Sequence, residues 1–515
     1  MQEAQQRPPS IWRYLRVWDA PLFLVFFLDV VGDALASTML VLLLEQNFHA
    51  SAILARAFRA GLFIFEAVIM SLFGRALDQW PRDAPLLALT YAKPVGAAAL
   101  AAVLALEWFW GETQSAVAFY VSLAIVMGVF APSEALGSLA AQLTIKRVCD
   151  NRGLNEGDDA EAAGYTPEEP PLTHKEAADF VRPHLFTFNY GTVNAGFLVA
   201  YMGIFALRNV WGPTGQATAN RATYAAAIGL YLMAALAAGI MHRILVSRGL
   251  LLPRARVRRG ARLVVIGAET SGAAEAAIGR EEEDEDGDGY DPCGCDCSAS
   301  GWREITHKLR RKSMWAYLAV IAALAGVYAL YVQLDDTQPQ YMIRRFGQTE
   351  TFATIQAANP FVLIVLCFVL PFVPAVQQLP VPVKLVLGTT IMAASMVWQA
   401  AMNTTVGATV ISTIQFSIGE ALAMPLVNEY AMRVAPKAEE AFYVSMSTLP
   451  RTVARSGSLM LSAFLLDTFC PATPEAACTV AVAGARPALI WWTITGVALT
   501  TPIALGLLWA KKWLK

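Results

Sequence analysis

Several side chains that could bind or transfer charge fall inside stretches that are otherwise apolar. Glu420 stands near the middle of Ile411 to Pro436, a run long and apolar enough to cross a bilayer. A carboxylate at that depth costs about 2.5–3.5 kcal/mol even on lenient insertion scales, so a partner, a cavity, a proton or a solute must offset it. Arg451 and Arg455, one turn apart in the next run, share a helix face. They either neutralise Glu420 as a structural ion pair, or receive an anionic group while Glu420 takes a cation or a proton. Asp29 and Asp33 are also one turn apart, a pair suited to holding a proton. Alternatively one of them faces water or pairs with Lys93. Glu66 and Glu134 are further partners for Lys93, or gate residues. Asp33, Glu66, Asn194, Glu420 and the two arginines all come within a few residues of mid-span at about 1.5 Å per residue. Such a level of polar groups implies a central aqueous cavity, to which Tyr190, Tyr331 and Gln333 are candidate lining groups.

The elements that must position these groups are membrane helices. Hydrophobic residues make up 56% of the chain and charged residues 16%, with a mean hydropathy of +0.45. Apolar runs of about 20 residues recur along it. Their order predicts an all-α polytopic membrane protein with twelve spans, near 20–45, 58–77, 84–109, 114–140, 184–207, 222–246, 314–335, 353–375, 382–402, 407–433, 440–466 and 487–510. No cleavable signal peptide is evident, so the first span is expected to target the chain. Arg7, Arg13 and Arg16 precede the first span, Lys511, Lys512 and Lys515 follow the last, and a basic block lies between spans six and seven. This bias predicts that both termini are cytoplasmic, at the plasma membrane or an organelle membrane. Residues 1–247 would form an N-terminal six-helix bundle, interrupted by a disordered insertion at about 148–180. An acidic and basic disordered linker, 248–313, would join it to a C-terminal bundle, 314–515. Trp108, Trp110, Trp315, Trp491, Trp492 and Trp509 fall near span ends, as an aromatic belt would place them.

Particular motifs point to a family. Gly74, Asp78 and Arg82, spaced by four, resemble the loop signature of the major facilitator superfamily, with Pro81 where a second glycine is usual. Phe186, Tyr190, Asn194 and Gly196 on span five are similar to the signature of the proton-coupled oligopeptide transporters, with Asn189 in place of an aromatic residue. Gly419-Glu420, Pro425 and Arg433-x-Ala435-Pro436 on span ten match that family's spacing, and Ile355-Gln356-x-x-Asn359-Pro360 opens span eight as in the family. The chain thus resembles a divergent member. The resemblance implies the major facilitator fold, two six-helix bundles and alternating access about a midplane site. It implies a symporter of a small organic solute, a di- or tripeptide or related zwitterion among the candidates. Two family features are absent: the first-helix Glu-x-x-Glu-Arg is replaced by Asp29-Val-Val-Gly-Asp33, and the fourth-helix lysine is missing from Gly128-Val-Phe-Ala-Pro132.

Other classes are weighed on the same residues. An uncoupled facilitator of another organic solute, and a non-transporting receptor on the same scaffold, remain open. No nucleotide-binding motif, Ser/His/Asp grouping or nucleic-acid patch is evident, so the chain is expected to be no enzyme and to need no cofactor or metal. The expected partners are a small-molecule solute, protons and the lipid bilayer; oligomeric state is left open. Cys470 and Cys478 lie in an outer loop where a disulfide could form, while Cys149 and Cys367 read as structural. The Cys293-Gly-Cys295-Asp-Cys297 run does not have zinc spacing, and Asp284-x-Asp286-x-Asp288-Gly289 lacks the Glu of a calcium loop. Asn403-Thr404-Thr405 is a sequon close to the membrane.

Overall fold

In the computed structural model the described residues are 19–48, 52–79, 84–110, 116–152, 174–211, 215–247, 310–346, 351–436, 439–471, 478 and 486–511. They form twelve helical rods and no strand. The first six are α1 (Asp19–Leu42), α2 (Ala52–Gln79), α3 (Ala84–Trp110), α4 (Ala116–Ile125, a π turn, then Ala131–Arg152), α5 (His174–Trp211) and α6 (Gln216–Ser247). The next six begin with α7, built from Lys312–Ala323, Ala325–Val332, a π turn Gln333–Thr337 and Gln338–Phe346. They continue with α8 (Thr351–Val369), α9 (Val381–Ala401), α10 (Val406–Val434), α11 (Glu440–Phe469) and α12 (Ala488–Ala510).

Among the described residues nine helices are long and apolar enough to cross a membrane, ten if the bent α7 counts as one span. The chain is therefore a multi-pass integral membrane protein. α1 and α11 fall outside that count, and α11 carries both arginines among several hydroxyl residues. The outer surface is apolar: Leu24, Ile64, Leu72, Phe361, Phe464 and Leu507 are exposed, as a lipid-facing wall requires. Helices extend further than hydropathy predicts. α4 continues to Arg152 and α5 starts at His174, so both ends of the expected 148–180 insertion are helical; the interval between them lies outside the described residues, as does most of the 248–313 linker. Trp491 is a correction to the expected aromatic belt: it is fully buried, edge-on to Tyr341, whereas Trp108, Trp110, Trp315, Trp492 and Trp509 are exposed.

The helices pack as two six-helix bundles, α1 against α5 and α6 and α3 against α4 and α6 in the first, α9 against α10 and α12 and α7 against α11 and α12 in the second. Apolar helices gain little by hiding from equally apolar lipid, so close van der Waals approach must hold them. Gly388 and Gly419 supply it between α9 and α10. A Cβ on Gly419 would meet the backbone nitrogen of Met392 at 2.7 Å, and one on Gly388 the carbonyl of Gly419 at 2.6 Å.

Polar clasps fix the ends of the bundles away from the chain termini. In the first bundle the Glu107 carboxylate, buried, accepts from Arg221 Nε at 2.7 Å and from Asn47 Nδ2 at 2.8 Å. In the second, Cys470 and Cys478 are joined by a disulfide. Arg344 donates to the Cys470 carbonyl at 2.9 Å, and Arg345 to the Cys478 carbonyl at 3.1 Å and the Asn403 side chain at 3.0 Å. The buried sequon residue Asn403 is thus occupied by Arg345. Substituting Gly419 by Ala is expected to push α9 and α10 apart and destabilise the protein by about 1–3 kcal/mol, read as a lower melting temperature of the purified protein.

Candidate functional site

The two bundles meet along α2 and α11, where Ser456 Oγ donates to the Ala60 carbonyl at 3.3 Å, and along α5 and α8, including the side where α1 begins and α12 ends. There Gly74 of α2 lies so close to α11 that a Cβ would stand 2.8 Å from the Ala441 carbonyl. Phe188 of α5 stacks on Phe368 of α8 with ring centres 5.6 Å apart. Beyond this floor lies a cavity of about 290 Å³ lined by both bundles. α1 gives it Asp33, and α5 gives Tyr190, Asn194, Phe197 and Tyr201. α7 contributes Tyr328, Tyr331, Asp335 and Gln338, α8 Gln356, Asn359 and Pro360, α10 Thr413 and Glu420, and α11 Arg451 and Arg455.

Glu420 does not pair with either arginine. Its Oε1 accepts a hydrogen bond from the Tyr190 hydroxyl of the other bundle, and Tyr331 stands beside that hydroxyl at 3.5 Å. Its Oε2 is buried and has no hydrogen-bond partner, while Asn359 flanks the carboxylate and accepts from Ser417 at 3.0 Å. The structural ion pair weighed from sequence is replaced by a bridge between bundles. Asn194 turns its amide back onto the Tyr190 carbonyl, 2.8 Å away, which holds the α5 wall in helical register.

A second charged cluster lies behind Asp33, inside the first bundle. Lys93 is fully buried, its ammonium 2.6 Å from Asp29 and 2.9 Å from Glu134, and 4.9 Å from the centre of the Tyr231 ring. Gly137, one turn beyond Glu134, leaves the room: a Cβ there would lie 2.6 Å from Lys93 Cε. Asp33 lines the cavity and lies near enough to Lys93 and Asp29 for their charges to act on it, so it borders both this cluster and the cavity. Asp29 therefore belongs to the buried cluster rather than the cavity wall. Lys93, on α3, stands across from Glu134 of α4.

The remaining candidates divide. Glu66 does not line the cavity; Asp33 and Arg455 are among the charges nearest to it. Gly74 packs the bundle interface, whereas the Asp78 side chain and Arg82 lie outside the described residues. Gln333 is buried against Ser458, donating at 2.6 Å, and does not line the cavity. Cys367 is a free, buried thiol. Asp335 was missed because the hydropathic run ends there. The helix instead continues to Phe346, and the π turn at Gln333–Thr337 brings Asp335 to the cavity, a use to which π turns are often put.

No protein-family model matches the sequence, and no curated protein matches it. Solved structures do. A bacterial homologue of the iron transporter ferroportin, in an outward-facing state with soaked iron, superposes with a TM-score of 0.58 at 12% identity, over 97% of this chain and 99% of that one. The peptide transporter POT superposes with a TM-score of 0.56 at 16% identity, over 96% and 95% of the two chains. A POT family transporter in complex with a thioalcohol-conjugated peptide gives 0.54 at 14% identity, over 96% of each. The chain has the major facilitator fold. Within that fold it resembles the POT transporters, in agreement with the motifs on α5, α8 and α10.

Replacing Lys93 by Met would leave Asp29 and Glu134 buried without their cation. The expected cost is about 3–5 kcal/mol, measured as a loss of melting temperature. Adding Asp29→Asn and Glu134→Gln to Lys93→Met is expected to recover much of that loss.

Proposed function

We propose that this chain is a secondary active transporter that moves a small organic solute by alternating access, coupled to protons. The bundles 1–247 and 314–515 would rock about the cavity, with both termini cytoplasmic. The observation that carries this reading is the Tyr190–Glu420 bridge. It joins the two bundles at a cavity that both of them line, so binding at that cavity acts on the contact between them. The fold shared with POT and ferroportin-like transporters supports it.

The solute reading follows from the wall chemistry. Tyrosines, amides and both signs of charge face the cavity, which suits a zwitterionic or polar organic molecule such as a di- or tripeptide. Proton coupling is supported by the excess of carboxyls over ammonium around Lys93 and by Asp33, which extends that cluster to the cavity.

Glu420→Gln is expected to abolish uphill uptake into proteoliposomes with an imposed pH gradient while leaving surface expression unchanged. Normal uphill uptake by this variant would remove Glu420 from the mechanism. Uptake that is indifferent to the pH gradient in the wild type would point instead to an uncoupled facilitator.

A further inference from the structure

The arginines of α11 stand at mid-helix depth, Arg451 exposed to the cavity and Arg455 half-buried. They lie one turn apart on a shared face and both line the cavity. Among the described residues neither has a carboxylate within the 4.0 Å of an ion pair. Their nearest ordered company is aromatic. Arg451 sits 5.5 Å over the Tyr328 ring, and Arg455 5.5 Å over Phe63 and 6.0 Å over Tyr331. Arg455 Nε is buried and has no hydrogen-bond partner. Three carboxyls also line the cavity, but Glu420 is held by Tyr190, and Asp33 and Asp335 stay beyond ion-pair distance of the arginines. Glu66, from α2, feels Arg455 without touching it.

Guanidinium groups at this depth need a cavity or a partner for their donors, and these two have the cavity. Faces of aromatic rings hold the cations in place from behind and leave the N–H edges free. Five donors in a planar fork match the paired oxygens of a carboxylate or the three of a phosphoryl or phosphonate group. We infer that Arg451 and Arg455 form a docking site for an anionic group of the solute, carboxylate or phosphoryl. Anion recognition is thereby placed on α11 of the second bundle, in the absence of an arginine from the Asp29–Asp33 stretch of α1. The inference rests on the cavity being the solute site.

The test measures binding of four probes to the purified full chain in nanodiscs: alanyl-alanine, alanyl-alanine amide, succinate and glycerol 3-phosphate. At least one anion-bearing probe is expected to bind at millimolar concentration or below. Its affinity should fall on the order of tenfold or more in Arg451→Gln and in Arg455→Gln. Arg455→Lys should recover part of that loss, and the amide, if it binds, should be indifferent to all three substitutions. Dialanine against glycerol 3-phosphate distinguishes a carboxylate from a phosphoryl ligand. The inference is overturned if anionic probes bind the Arg451→Gln/Arg455→Gln double variant as tightly as the wild type, or if no anionic probe binds a wild type that melts cooperatively. Uptake of any solute from a panel of amino acids, nucleosides and sugars by wild-type proteoliposomes would then leave the transport reading standing while removing the anion site.

Discussion

An ionised group inside a membrane protein must be paired, solvated by a cavity, or neutralised, because the surrounding lipid offers it nothing. Nearly every non-trivial feature of this chain answers that constraint. Lys93 is satisfied within its own bundle by Asp29 and Glu134, and Gly137 is small because the lysine needs its volume. Glu107 and Arg221 satisfy each other with a bidentate contact at the opposite end of the same bundle. Asp33, Asp335, Glu420, Arg451 and Arg455 line the cavity instead, and Glu66 lies outside its wall.

Depth was what the sequence could provide. Apolar run length and 1.5 Å per residue place Asp33, Glu66, Asn194, Glu420, Arg451 and Arg455 at a common level, and the structure brings all of them but Glu66 to one cavity. What periodicity could not provide was the rotation of each helix. Asp29 and Asp33 look equivalent on a helical wheel, being one turn apart. They separate because Lys93, on a helix sixty residues on, captures one and leaves the other at the cavity edge. Asp335 was illegible for another reason. A π turn inserts an extra residue into the helical repeat, and the last turns of α7 are polar enough to read as a loop. The buried Trp491 fails by the same logic, since span ends locate a tryptophan along a helix but not around it.

The contacts that carry the fold differ in kind from those that join the bundles. Within the second bundle, α9 and α10 approach through Gly388 and Gly419, where backbone meets backbone and nothing can yield. Glu420 follows Gly419 directly, so its carboxylate is aimed by a helix that is locked on its other face. Between bundles, the tight approach of Gly74 to Ala441 is confined to the side nearest the termini, and the aromatic stack of Phe188 on Phe368 lies on that side too. Small residues and flat rings can part without leaving a buried charge behind.

The same reasoning bears on the bridge at the cavity. If Glu420 were joined across the bundles to an arginine, separating them would strand two buried charges, at a cost of about 3–5 kcal/mol. A tyrosine hydroxyl donating to a carboxylate contributes about 1.5–3 kcal/mol. Its loss leaves only one charge, already at the edge of a polar cavity with Asn359 beside it. In the proposed cycle the contact between halves must break and re-form at each turnover, so the weaker link belongs there and the stronger one, Lys93 with its carboxylates, belongs inside a body that moves as a unit. Under the proposed function, a solute cation that displaced the Tyr190 hydroxyl from Glu420 would loosen the bundles without any ion pair having to open.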